Sequence, residues 1–195
     1  MRKPLLTLAF ASQIALGHAT AETRTLHQFN NPETTAGWQA VNDGVMGGRS
    51  SGGPDFCKDG LRFSGKLSLE NNGGFSSIRK QERLELSRFD GIRLKVRGDG
   101  REYQLRLNTD ARFRGWPVSY SGSFQTSPGK WVVVDIPFAD LKPAFRGMKL
   151  RNKPFQPGNI EMLGFMLADK KPGAFTLDIE SIQAYQADPE LTDLR

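Results

Sequence analysis

Hydrophobic and polar positions trade places with a period of two along most of this chain. Leu61, Phe63, Leu67 and Leu69 share one parity, and Arg62, Ser64, Lys66 and Ser68 share the other. Ile92, Leu94 and Val96 alternate with Arg93, Lys95 and Arg97. Tyr103, Leu105 and Leu107 alternate with Gln104, Arg106 and Asn108, and Phe175, Leu177 and Ile179 alternate with Thr176, Asp178 and Glu180. A strand points successive side chains to opposite faces, so this period places one face on a core and one in water. Residues 132–136 and 162–167 are more continuously apolar and are expected as central strands. Turn chemistry separates the runs: Asp59-Gly60, Asn72-Gly73-Gly74, Asp90-Gly91, Gly98-Asp99-Gly100, Ser127-Pro128-Gly129 and Lys171-Pro172-Gly173. No long helical period intervenes. Only residues 138–141 read as a helical turn, which Pro143 limits. Many short strands with regular turns predict an all-β, antiparallel sandwich of jelly-roll type. Its expected core is Leu67, Leu69, Ile92, Leu94, Val96, Leu105, Leu107, Val134, Ile136, Phe165, Leu177 and Ile179.

The first 21 residues have a different pattern. Arg2 and Lys3 give a basic start, Leu5 to Leu16 is mostly apolar but too short to cross a bilayer, and Ala19-Thr20-Ala21 is an A-x-A cleavage signal. This predicts a signal peptide over 1–21, cleavage after Ala21 and a periplasmic or secreted protein. Residues 22–187 are expected to form one domain and 188–195 a polar tail. No later stretch is apolar enough for a transmembrane segment. The net charge of +6 includes the two basic residues of the leader. So mild an excess permits an anionic envelope surface as a partner without demanding one, and nothing points to nucleic acid. Cys57 is the only cysteine, so no internal disulfide is possible. Burial is its expected state, a free thiol the alternative.

Catalytic chemistry is sparse. Beyond the leader the only histidine is His27. Gly48-Arg49-Ser50-Ser51-Gly52 matches G-x-S-x-G, but a nucleophile elbow needs a strand before its serine, a helix after it and a later histidine. Here the surroundings are glycine-rich and the histidine comes earlier, so Ser50 is not read as a nucleophile. One histidine and one cysteine cannot close a zinc site. Gly98-Asp99-Gly100 lacks the third glycine of a dinucleotide fingerprint. No metal, cofactor or catalytic residue is expected. Asp43, Asp99 and Asp110 offer a carboxylate pair for glycoside hydrolysis, but aspartates in Asn-Asp-Gly and Gly-Asp-Gly settings form turns, which is the favoured reading.

Three groups are candidates for recognition. The first joins Asn42, Asp43, Met46, Gly47, Gly48 and Ser50 to Phe75, Ser76 and Arg79. It reads either as a partner-binding edge with free backbone N–H groups or as a structural plug. In the plug, Asp43 pairs with Arg79 while Met46 and Phe75 fill the mouth of the core. The second is Arg112, Arg114, Trp116 and Tyr120, a composition typical of binding hot spots, or else a loop anchored by Trp116. The third is Arg93, Lys95, Arg97 and Arg106, which make one basic sheet face if their strands are neighbours. An ordinary solvated face is the favoured alternative.

Six segments in order carry a resemblance: Trp38 followed by NDGVMGG, then GGFSSIR, GDGREYQLRL, KWVVVDIPFADLKP, IEMLGFMLADK and FTLDIESIQAY. Together they resemble the complex I intermediate-associated protein family over nearly the whole chain beyond the leader. The resemblance implies a galactose-binding-like β-sandwich. It also implies a non-enzymatic protein-binding module, an assembly factor or chaperone-like protein, because mitochondrial members help assemble respiratory complex I. The expected partners are proteins, membrane-complex subunits among them. The alternative is a carbohydrate- or small-ligand-binding module, since this fold carries many sugar binders and a strand ending in W-x-x-x-x-I-P-F (Trp131 to Phe138) recurs in them.

Overall fold

The computed structural model describes residues 22–187; the expected leader and tail lie outside the described residues. The described residues form thirteen strands: β1 (Thr23–Gln28), β2 (Gln39–Asn42), β3 (Ser51–Cys57), β4 (Gly60–Leu67), β5 (Ser76–Leu84), β6 (Gly91–Gly98), β7 (Glu102–Phe113), β8 (Trp116–Gln125), β9 (Trp131–Pro137), β10 (Lys142–Phe145), β11 (Met148–Lys149), β12 (Ile160–Leu167) and β13 (Gly173–Tyr185). The helical pieces among the described residues are short 3-10 turns, one of them the expected turn at Phe138–Asp140.

The strands form two antiparallel sheets. The first has the order β3-β4-β13-β6-β9, with β1 pairing the C-terminal half of β13; the second has the order β11-β10-β8-β7-β12-β5-β2. This is the expected all-β sandwich. Alternation predicts the inward faces. Phe63, Leu94 and Leu177 from the first sheet and Leu105, Leu107 and Phe165 from the second are fully buried. A bulge in β13 between Ile179 and Ser181 shifts the parity, so that Ile182 and Ala184 continue the buried row. A chain of aromatic contacts ties the layers together. Phe175 meets Phe63, Phe63 meets Tyr103 across the sheets, and Tyr103 stacks near Phe124, which meets Phe165. Trp38 stacks on Phe165 at 5.8 Å.

Four expectations are corrected. Residues 132–136 lie on β9, an edge strand, where Val133 is exposed and Val134 only half-buried. A run of valines reads as buried on both faces, but at an edge the outward valine stays in water. Leu69 lies past the end of β4 and is exposed, because the chain there has left the sheet that would bury it. Arg112 to Tyr120 is not a loop but the β7–β8 hairpin, turned at Arg114 and Gly115 with both φ values positive. Finally, β6 and β7 are in different sheets, so Arg106 does not extend the face of Arg93, Lys95 and Arg97. Those three are neutralised where they stand, Arg93 by Asp135, Lys95 by Glu180, and Arg97 by Asp59 and Asp178.

Candidate functional site

The two glycine-rich motifs meet at the end of the second sheet, where Asn42 of β2 pairs with Ser76 of β5. The chain then enters a 3-10 turn, Asp43–Met46, closed by Gly47 at φ +87°, a conformation that costs glycine least. Asp43 is fully buried. Its Oδ1 accepts the Ser50 amide at 2.8 Å. Its Oδ2 accepts the Ser50 hydroxyl at 2.5 Å, the Gly74 amide at 2.6 Å and the Phe75 amide at 3.2 Å. A Cβ at Gly48 would lie 2.4 Å from Asp43 Cγ, and one at Gly73 would lie 2.6 Å from Asp43 Oδ2. These glycines let two backbones close around one carboxylate. Burial penalises the charge, but the donors outweigh it and hold the Asp43 carboxyl below the usual carboxylate range.

The neighbouring polar side chains complete this clasp. Asn42 donates to the Gly52 carbonyl at 2.9 Å and accepts from the Ser76 hydroxyl at 2.6 Å. The Ser50 hydroxyl also accepts the Ser68 amide at 3.0 Å, and Asn71 donates to the Gly47 carbonyl at 3.1 Å. Ser50 is therefore buried and bonded into the clasp, far from the posture of a nucleophile. The expected Asp43–Arg79 pair does not form. Arg79 lies on the outer face of β5, opposite Gly164 of β12, while neutral donors answer Asp43. Nor does Met46 plug the core. Val45 is 75% exposed and Met46 69% exposed, while Phe75 is half-buried. The turn has buried its aspartate and turned its apolar pair outward.

The second candidate group splits. Trp116 is 58% exposed at the hairpin, with the Arg146 guanidinium 5.4 Å from its ring centre. Arg112 bonds Glu161 at 2.8 Å and the Thr109 carbonyl at 2.8 Å, pinning the hairpin to β12. Tyr120 is fully buried and its hydroxyl donates to the Pro154 carbonyl at 3.2 Å, so it is not a surface aromatic. Its place in β8, on the inward parity of Val118 and Phe124, was readable once that segment is seen as a strand. Cys57 is half-buried, its thiol 3.3 Å from the Gly60 carbonyl.

Solved structures with a similar fold include the family 11 carbohydrate-binding module of the cellulosomal cellulase Lic26A-Cel5E of Clostridium thermocellum. It has a TM-score of 0.60 and 16% identity, covering 87% of this chain and 97% of that one. The family 30 module of the cellulase Cel9D-Cel44B from the same organism has a TM-score of 0.58 and 14% identity, covering 86% and 99%. At such identities the likeness shows the jelly-roll, galactose-binding-like fold alone.

Among curated proteins, the mitochondrial Complex I intermediate-associated protein 30 of Mus musculus is 27% identical over 88% of this chain and 58% of its own length. That of Drosophila melanogaster is 25% identical over 89% of this chain and 66% of its own length. The chain thus spans less than two thirds of either relative. Their mitochondrial names overturn the expectation of a periplasmic or secreted protein. A basic residue or two ahead of a short apolar run is too small a signal to identify a compartment. The family model described as Complex I intermediate-associated protein 30 (CIA30) matches residues 27–179, from β1 well into β13, and the chain belongs to that family.

Proposed function

We propose that this chain is a non-enzymatic protein-binding module that serves the assembly of a membrane complex, respiratory complex I. We propose further that the clasped turn at Asp43–Met46 is the edge that meets the partner. One observation carries this reading: two adjacent apolar side chains, Val45 and Met46, stand in water on a turn whose first residue, Asp43, is buried and hydrogen-bonded to both neighbouring segments. An ordered turn loses little conformational freedom on binding, so contact there is less opposed by entropy. Methionine adapts its shape to an apolar partner surface. In this reading Asn42, Asp43, Gly47, Gly48 and Ser50 support the edge instead of touching the partner. Family membership supports the choice of complex I.

The test is the double variant Val45→Ser, Met46→Ser, purified beside the parent. Both residues are exposed, so melting should change by no more than an exposed substitution commonly allows, about 0.5 kcal/mol. The parent should co-migrate with complex I subunits on native gels, identified by mass spectrometry, and the variant should not. Undiminished co-migration at unchanged melting would refute the proposed edge. The carbohydrate reading rests on Trp116 beside Arg146 and has lost Tyr120 to the core. A glycan-array signal abolished by Trp116→Ala would favour it over the protein-binding reading.

A further inference from the structure

Two outward arginines of the second sheet differ from those of the first. On the first sheet, Arg62 and Arg97 converge on Asp178 and Arg93 pairs with Asp135. On the second, Arg79 of β5 and Arg106 of β7 flank Gly164 of β12 from either side, since both are in direct register with it. Neither has a carboxylate partner among the described residues. Arg106 is held by neutral groups only: Nη2 donates to the Ser119 hydroxyl at 2.7 Å, and Nη1 to Gln104 Oε1 at 3.2 Å and to Met166 Sδ at 3.2 Å. These side chains line a recess of about 130 Å³ with Ser77, Asn108 and Met166. Gly164 supplies no side chain to fill it; a Cβ there would lie 3.2 Å from Arg79 Cβ. Asn108 Oδ1 is buried and has no hydrogen-bond partner.

Two guanidinium groups lining one recess and partly out of water are costly without an anion. Arginine does not escape by losing its proton, which a guanidinium keeps in proteins. Burial pushes both guanidinium groups down from their ordinary value, and the charge of Arg79 lowers Arg106 further. Guanidinium forks match the paired oxygens of carboxylates and phosphates. No carboxylate among the described residues pairs with either group, which leaves the pair open to an anion from elsewhere. A single oxyanion with its waters fits the volume, at roughly 30 Å³ per water-sized group. We infer that the recess between Arg79 and Arg106 is a binding site for one oxyanion, a carboxylate or a phosphate. The site shares no residue with the Val45–Met46 edge and stands or falls independently of it.

The full chain, labelled for observation of arginine Nε–Hε signals by NMR, is titrated at constant ionic strength in two arms. One arm uses inorganic phosphate and the other an acetylated, amidated peptide of glutamates. Saturable shifts of the Arg79 and Arg106 signals are expected with a Kd on the order of 1 mM, while the Arg93 signal, already paired, stays still. Response to phosphate alone assigns the site to free phosphate-like anions; a tighter response to the peptide assigns it to carboxylates of an acidic segment. Arg79→Gln, which breaks no side-chain hydrogen bond among the described residues, should weaken binding at least about tenfold. Met166→Glu places a carboxylate in the recess, and should raise the melting temperature and abolish the titration. Absence of saturable shifts in both arms, or an Arg79→Gln variant that titrates like the parent, would overturn the inference.

Discussion

Replacing Asp43 by Asn removes one charge and nearly no volume, which isolates what the carboxylate does. In the parent, its two oxygens accept four hydrogen bonds, three of them from backbone amides. The Asn oxygen can keep the Ser50 amide. The new NH₂ group then faces the amides of Gly74 and Phe75, donor against donor. Two buried amides lose their acceptor at about 1–3 kcal/mol each, so the variant should lose about 2–6 kcal/mol. At about 2–4 °C per kcal/mol for a chain of this size, the melting temperature should fall by roughly 5–20 °C in scanning calorimetry at neutral pH. The pH dependence adds an independent check. Asp43 titrates below its unfolded value, so its stabilisation is complete above about pH 4 and is lost as pH falls through the depressed folded value. The gap between parent and variant should therefore shrink as the solution is acidified below that point. Asp169 and Asp178 are also depressed, but they are present in both proteins and largely cancel in the difference. A variant melting within about 2 °C of the parent, or a gap constant down to strong acid, would refute the carboxylate's role.

Substitutions at three further positions probe the same clasp. Asn42→Ala removes the bonds to Gly52 and Ser76 and should cost about 1–3 kcal/mol in chemical denaturation; a normal unfolding midpoint would return Asn42 to the list of partner-facing residues. Gly47→Val forces a β-branched residue to φ +87° and should lower the melting temperature markedly, whereas Gly47→Asn, which tolerates positive φ, should be milder. Ser50→Ala should lower stability while leaving any esterase background of the preparation unchanged; loss of a robust turnover in that variant would restore Ser50 as a nucleophile.

The sandwich was legible because alternation is a local property of the chain. Leu94, Leu105 and Leu177 face inward whatever strand lies beside them, so the core could be written down almost residue by residue. What failed were statements about neighbours. Residues 132–136 have the composition of a central strand, but β9 is an edge, and composition does not say how many partners a strand has. Tyr120 stands among arginines and a tryptophan outside any obvious alternation, so its sequence neighbourhood reads as a surface; once Arg114 and Gly115 turn the chain into a hairpin, its parity places it in the core. The meeting of NDGVMGG with GGFSSIR was readable, since both are dense in glycine. The residue that explains those glycines was misassigned to Arg79. An aspartate beside glycine looks like a turn former, and nothing local reveals that three amides from two segments converge on it.

The arginines show the same division between face and neighbour. By alternation, Arg93 and Arg106 are equivalent: each is an outward basic residue on an amphipathic strand. Their meaning diverges only through register. Arg93 stands opposite Asp135 because β6 pairs β9 with Ile92 against Ile136, and the two charges close an exposed pair worth little on its own. Arg106 stands opposite Gly164, and beyond that glycine stands Arg79. No acidic residue enters that row, so attraction is replaced by repulsion and a gap. The same side chain at the same parity is thus neutralised on one sheet and left poised on the other, and the deciding contacts come from strands forty to sixty residues away. A basic strand face has to be judged charge by charge against its cross-strand partners. On that test, the functional candidate here is not the longer basic row of β6 but the short row that strand pairing leaves without an anion.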